Sequence, residues 1–363
     1  MQVINTRIAR DNRYRDYGGL ILMLVLTIIM VHNKYNLDYA NYAEAYYKTT
    51  NLKGFEFCYF IIQYICKNIG LSFAAFRFFI YVVGMVILWI AIHRIVSKTE
   101  IFYFLYFLFP FFLDVIEIRN YIGLTIFVYA FTVLISDESC SKIKYVILML
   151  VASGFHNVYL VFIPFVFFSS EYSSNIKKVV MSVCALLSII LMLFFPTLTL
   201  NFINLCYRII VGRGISGNRD NYLSGIHTHY GYLLILMEQV ATFIISYLEC
   251  RVIESVPNEG LEKQKLIQKK FIKIIFWLNL FAFIFCPIYR IHGQFTRIMQ
   301  NIMVLTHVAF VATLNVVNNK KSKNIVVIVF LYCLYVLFFF TYIILYSHFN
   351  DIFIQTFTNI KMS

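Results

Sequence analysis

The sequence predicts an all-α, polytopic integral membrane protein, and three observations carry that prediction. Of 363 residues, 61% are hydrophobic and only 13% are charged, about half the charged share of an ordinary soluble domain. Apolar runs recur along the whole chain at the length that a bilayer demands, roughly 20 residues of helix. Lysine and arginine gather in alternate connections, the asymmetry expected of cytoplasmic loops. The net charge of +13 is therefore read as membrane topology, and nucleic acid is excluded as a partner. Eight cysteines are scattered singly with no C-x-x-C pair, which argues against a metal cluster and against a disulfide framework.

The N-terminal stretch "MQVINTRIARDNRYRDYGG" carries Arg7, Arg10, Arg13 and Arg15 and has no small-residue cleavage site. It reads as a cytoplasmic tail before an uncleaved first helix at 18–32. Further helices are predicted at 72–95, 101–116, 118–135, 143–155, 157–169, 179–195, 230–249, 271–289, 295–314 and 324–346. With the tail and Arg251, the connections assigned to the inside hold 19 of the 31 Lys and Arg residues, among them Arg94, Lys98, Lys142, Lys144, Lys177, Lys178 and the lysines at 263–273 and 320–323. This alternation puts the N-terminus in the cytoplasm and the C-terminus outside.

Two segments do not read as simple crossings. Residues 54–69 begin and end outside and are expected to form an interfacial or half-inserted helix. Residues 143–169 begin and end inside, and each arm of about 12 residues makes roughly 18 Å of helix, short of a hydrocarbon core of about 30 Å. They are expected to form a re-entrant hairpin with "GFHN" at its tip, giving about nine full spans plus the hairpin; the alternative is eleven spans. Either way His156 faces the outer side. The chain reads as one transmembrane domain, 1–363, with outer loops at 33–56 and 196–229.

Polar residues that resist a lipid-facing reading converge on the outer side. Arg119 opens a helix, Arg290 and Arg297 flank an outer turn, and Arg208, Arg213 and Arg219 lie in the second outer loop. Ionisable residues within spans are paired or functional. The planar guanidinium fork suits phosphate oxygens, and helix N-termini add donors and a positive dipole end. Several outer arginines around one cavity would make a diphosphate site. The competing structural reading pairs Arg119 with Glu117 or Asp114, leaves Arg213 and Arg219 as solvated loop charges, and gives His156 a hydrogen bond closing the hairpin tip. Glu238, eight residues into its predicted helix, must be protonated, paired with an arginine, or facing a cavity. His227, His229, His292 and His307 read as bystanders. There is no G-x-x-x-x-G-K-[ST] loop and no D-x-D pair, so a substrate must arrive already activated; no cofactor or metal is expected.

"EIRNYIGLTIFVYAF", followed by "IKYVILMLVASGFHNVYLVFIPF", resembles the core of the EpsG/Wzy-type polysaccharide polymerases. There an arginine and a polar residue open one helix, and a Phe-His dipeptide breaks a hairpin some 35 residues later. "NLDYANYAEAYY" resembles the family's Asp-then-Tyr segment through Asp38 and Tyr42, "GFEFCYFIIQYI" its Glu-aromatic segment through Glu56, and "FTRIMQNIM" its late arginine-opened helix through Arg297. The similarity covers residues 30–170 and 285–310. It implies a GT-C-like helical bundle in the inner membrane that polymerises O-antigen, capsule or exopolysaccharide. The growing chain passes from its undecaprenyl diphosphate to the free end of a new lipid-linked repeat at the periplasmic face, with a chain-length regulator as a candidate partner.

On that reading Arg119 and Arg297 bind the diphosphate, assisted by Arg290 and an arginine of the 208–219 segment. His156 is a base, a phosphate ligand or a structural residue. Asp38, Tyr42 and Glu56 are candidate sugar contacts, with Glu56 and Asp38 competing as bases. An O-antigen ligase would share the diphosphate site. A flippase would show inverted repeats or charges through the full membrane depth, and neither is present.

Overall fold

The computed structural model describes residues 16–33, 38–48, 56–136, 139–167, 175–201, 231–258, 261–291, 293–317, 323–342 and 349–358. Helix is the form in which a lipid-embedded segment satisfies its own N–H and C=O groups, and the described residues form no strand element. Five stretches are long and apolar enough to cross a bilayer: Phe73–His93, Gly231–Glu254, Lys263–Ile291, Arg297–Val317 and Asn324–Tyr342. Together they mark a polytopic membrane protein. Both chain termini lie outside the described residues.

In chain order the helices are α1 (Tyr17–His32), α2 (Tyr39–Lys48), α3 (Phe57–Asn68), α4 (Phe73–His93), α5 (Glu100–Leu108), α6 (Ile118–Leu134) and α7 (Ser141–Ser153). After a 3-10 arm, Asn157–Phe167, follow α8 (Asn175–Phe194), α9 (Gly231–Glu254), α10 (Lys263–Ala282), α11 (Arg297–Val317) and α12 (Lys323–Phe339). α6 packs between α4 and the hairpin of α7 and the 3-10 arm, and α11 packs against α10 and α9. α6 and α11 are buried along almost their whole length, so their polar residues face protein. α12 keeps much of its apolar surface exposed, including Val326, Phe330 and Leu337, as a lipid-facing helix does.

Several boundaries differ from the sequence expectation, each for a physical reason. The run 101–116 is not one helix. Phe109 precedes Pro110, is pushed out of the helical region, and is extended at φ −166°, ψ 133°; a short turn, Phe111–Asp114, follows. The break leaves the Phe109 carbonyl without a helical partner, and His307 Nε2 meets it at 2.7 Å. α10 begins eight residues before the expected start at 271. Its lysine-rich first turns fall below any hydropathy threshold, yet Gln268 donates to the Ile95 carbonyl at 2.8 Å and Lys269 to the Val256 carbonyl at 2.6 Å. The expected outer loop 33–56 contains α2. Of the loop expected at 196–229, residues 202–229 lie outside the described residues.

The hairpin has a sharp break at 154–156. α7, with 13 residues, spans about 20 Å at 1.5 Å per residue. The 3-10 arm, with 11 residues, spans about 22 Å at roughly 2 Å per residue. Neither reaches about 30 Å. Pro164 inside the second arm cannot donate to a ladder, and Tyr145 of α7 donates to the Phe162 carbonyl across the hairpin at 2.9 Å. At the tip, the Gly154 carbonyl accepts from Cys58 N–H at 2.7 Å and Tyr59 N–H at 3.2 Å, capping α3. The approach is so close that a Cβ on Gly154 would stand 2.3 Å from the Cys58 sulfur. Any side chain there would have to displace Cys58.

At the opposite end of the bundle, Asp16 accepts from Gly19 N–H at 3.2 Å and from the Thr99 hydroxyl at 2.7 Å, and lies 3.0 Å from His93 Nε2. One buried carboxylate thus joins the start of α1, the end of α4 and the start of α5.

Candidate functional site

Arg119 is the second residue of α6 and Arg297 the first of α11. A cation at the positive end of a helix dipole is disfavoured, and burial adds a desolvation cost. Both are met locally. Arg119 Nη1 donates to Glu56 Oε2 at 2.7 Å, its Nε donates to the Tyr42 hydroxyl at 3.3 Å, and its guanidinium lies over the Tyr42 ring at 5.5 Å. Arg297 engages both oxygens of Glu117, through Nε at 2.8 Å and Nη2 at 2.7 Å, and its Nη1 approaches His156 Nε2 at 3.3 Å. The fork-on-fork geometry is the strong form of such a pair.

Arg119 therefore pairs with neither Glu117 nor Asp114. Glu117 holds Arg297 instead, and Asp114 accepts from the Tyr106 hydroxyl at 2.7 Å. Glu56 caps no helix with its side chain, although it stands at the N-cap of α3. That leaves its carboxylate for Arg119.

His156 sits in the hairpin break, where Val158 N–H donates to its Nδ1 at 3.2 Å. With Arg297 at the other nitrogen, both ring nitrogens face N–H donors, the setting of an imidazole that carries at most one proton. Arg119 and Arg297 both act on the ring electrostatically. The histidine, the two guanidinium groups and their carboxylates thus occupy one site.

A buried lock fixes the three supporting elements. Asn120 and Asn301, each directly behind or one turn behind a site arginine, bond reciprocally: Asn120 Nδ2 to Asn301 Oδ1 at 3.2 Å and Asn301 Nδ2 to Asn120 Oδ1 at 3.3 Å. From the 3-10 arm, the Tyr159 hydroxyl meets the Asn120 carbonyl at 2.8 Å and its Oδ1 at 2.9 Å. Gly123 opens the way, since a Cβ there would lie 2.3 Å from the Tyr159 ring.

Of the other expected residues, Asp38 immediately precedes α2, its carbonyl accepting from Tyr42 N–H at 2.9 Å, and its charge acts on Tyr42. Burial pushes the Tyr42 phenol above its ordinary value against the pull of Arg119, so the hydroxyl stays protonated and keeps a proton to donate. Arg290 is committed elsewhere: Nη1 donates to the Met192 and Leu193 carbonyls at 2.7 and 2.9 Å, covering the C-terminus of α8, and its guanidinium lies over Tyr232 at 5.0 Å. Glu238 is buried and acts on Tyr335 and Tyr289, and no ion pair with an arginine joins it among the described residues. Arg208, Arg213 and Arg219 lie outside the described residues, as do His227, His229 and His292.

Neither the asparagine pair nor Arg77 is among the site residues expected from the sequence. Arg77 is the fifth residue of α4, 4% exposed, and acts with Arg119 on the same phenol, Tyr59. Its signal was present: an arginine within "SFAAFRFFIY", an ionisable group inside an apolar helix.

Residues 19–358 match the family model described as the EpsG family. This chain belongs to the EpsG family. Comparison with curated proteins and with solved structures gives no match. The EpsG match spans α1 to α12 and takes in all the site residues described above. Membership of the EpsG family points to a polysaccharide-polymerase-like role with glycosyltransferase-like chemistry.

Proposed function

We propose that this EpsG-family chain is a polysaccharide polymerase that joins undecaprenyl-diphosphate-linked oligosaccharide repeats into O-antigen, capsule or exopolysaccharide. It acts at the periplasmic face of a bacterial inner membrane. The observation that carries the proposal is the convergence of Arg119 and Arg297 at two helix starts beside His156, each guanidinium held by a carboxylate. Two half-buried cations that already share one site suit a diphosphate whose charge grows as the glycosidic bond breaks.

The acceptor hydroxyl oxygen attacks the anomeric carbon of the donor, the carbon–oxygen bond to the diphosphate breaks, and the electron pair leaves on undecaprenyl diphosphate. The hydroxyl proton passes to a base. Glu56 and Glu117 hold the arginines when no substrate is bound; the diphosphate competes for those guanidinium groups. Arg297 turning toward phosphate releases His156 Nε2, and Arg119 doing the same releases Glu56. His156 and Glu56 are thus candidate bases, with Asp38 beside Tyr42 as a sugar contact and a competing base.

The test is reconstitution of the purified full chain with one lipid-linked repeat. A ladder of products still attached to undecaprenyl diphosphate is expected, with Arg119→Ala and Arg297→Ala each reducing it about 10²–10³-fold. Polymer moved onto a different acceptor class would replace polymerisation by ligation. Ladders undiminished in both arginine variants would remove the site from the reaction.

A further inference from the structure

Three long helices begin at the same end of the bundle with an arginine in their first five residues: α4 with Arg77, α6 with Arg119 and α11 with Arg297. Two of the three have a carboxylate partner. Arg77 has none among the described residues. It makes one weak hydrogen bond, Nη2 to the Tyr81 hydroxyl at 3.5 Å, and otherwise meets ring faces, Tyr39 at 4.9 Å, Tyr81 at 5.3 Å and Phe73 at 6.0 Å. Tyr81 cannot offer its proton, since its hydroxyl donates to the Val115 carbonyl at 2.8 Å.

A guanidinium carries five N–H donors, and burying a charge without an opposite charge is costly. Aromatic faces offset part of that cost but accept none of the N–H groups in plane. The position, about one turn inside a helix N-terminus, adds no compensation, because the dipole there is positive. The arrangement is complete only with an oxyanion in the plane of the fork. Tyr59 relates this group to the main site: its ring lies 6.4 Å from that of Tyr42, which the Arg119 guanidinium covers, and 5.5 Å from that of Phe76, the chain neighbour of Arg77.

We infer that Arg77 forms a second oxyanion subsite, walled by Tyr39 and Tyr81 beside the Arg119 site, which takes the second phosphate group of the lipid diphosphate. The inference rests on the function proposed above and names a residue that distinguishes diphosphate from monophosphate. The same chemistry could be met by a carboxylate on an acidic sugar of the repeat, which the walls would stack.

The experiment measures binding of undecaprenyl diphosphate and undecaprenyl monophosphate to the purified full chain in detergent, for the native protein, Arg77→Met and Arg77→Gln. The glutamine variant keeps an amide beside Tyr81 and gives the same reading should the methionine variant misfold. The native chain should prefer the diphosphate roughly 10- to 100-fold, as loss of a charge-assisted contact predicts, and the variants should bind both lipids nearly equally. Methyl glucuronide is the third probe. If it binds the native chain but not the variants while the diphosphate preference persists, the oxyanion subsite stands and its occupant is the sugar carboxylate. If no probe separates the variants from the native chain, the subsite is overturned. If the native chain binds neither lipid, the proposed function fails first.

Discussion

Arginine in an apolar helix has to be explained by what surrounds it, and three arginines of this protein, Arg77 buried and Arg119 and Arg297 half-buried, find three surroundings. Arg119 has Glu56 and Tyr42, Arg297 has Glu117 and His156, and Arg77 has aromatic rings. The first two are near-neutral pairs, which lets the helices that carry them pack. They also keep the guanidinium groups available for exchange onto a stronger anion. For His156, the local prediction separates chemistry from structure. His156→Ala should lower turnover by about 10²–10⁴-fold if the ring accepts the proton, with membrane abundance and lipid-diphosphate binding unchanged. Loss of binding together with turnover would make it a phosphate ligand, and loss of abundance alone would make it a structural residue. Comparing Glu56→Gln in the same assay decides between His156 and Glu56 as the base.

Between elements, two contacts set the site. The Gly154 carbonyl caps α3, and the asparagine lock ties α6 to α11 and the 3-10 arm. Gly154→Ala forces a methyl group into the Cys58 sulfur, a strain of about 1–3 kcal/mol for overpacking. A lower melting temperature of the purified chain is expected, partly restored by adding Cys58→Ala, which removes the nearest atom. Asn120→Leu leaves the Asn301 amide without its Asn120 partner, at about 1–3 kcal/mol for a stranded buried group. Asn120→Leu with Asn301→Leu should therefore cost less than the sum of the two single changes. Additive losses in the melting temperature would show that the amides do not act as a pair.

Across the whole molecule, the placement of charge gives a topology that can be read chemically. The Arg119 site and the α3–α4 turn lie at one end. The Asp16 clasp and the lysine-rich start of α10, which contacts Ile95, lie at the other. If the basic end is cytoplasmic, a membrane-impermeant thiol reagent should label Asn68→Cys in intact cells, in a chain otherwise cleared of reactive cysteines. It should reach the exposed Cys140 only after permeabilisation. The reverse pattern would place the site in the cytoplasm and remove lipid-linked repeats as its substrate.

Hydropathy, charge asymmetry and helix-breaking residues were local properties, and by themselves they determined that the chain is helical and membrane-spanning, where most helices run, and that a break falls at the Phe-His dipeptide. Local pattern also brought Arg119, Arg297 and His156 to notice, since an ionisable group in an apolar context stands out without any structure, whereas Tyr42 and Glu56 came to notice through the resemblance of their segments to the family. Partnership was another matter. Arg119 could be matched to Glu117 by proximity along the chain, yet it bonds Glu56, 63 residues away, and Glu117 bonds Arg297, 180 residues away. Only the packing of α6 against α4, the hairpin and α11 decided those pairings, took Arg290 away to the end of α8, and set Arg77 against the Tyr39 ring. The reason is the range of the forces: burial and helix formation are set within a turn or two of each residue, whereas an ion pair depends on which distant segments the whole bundle presses together.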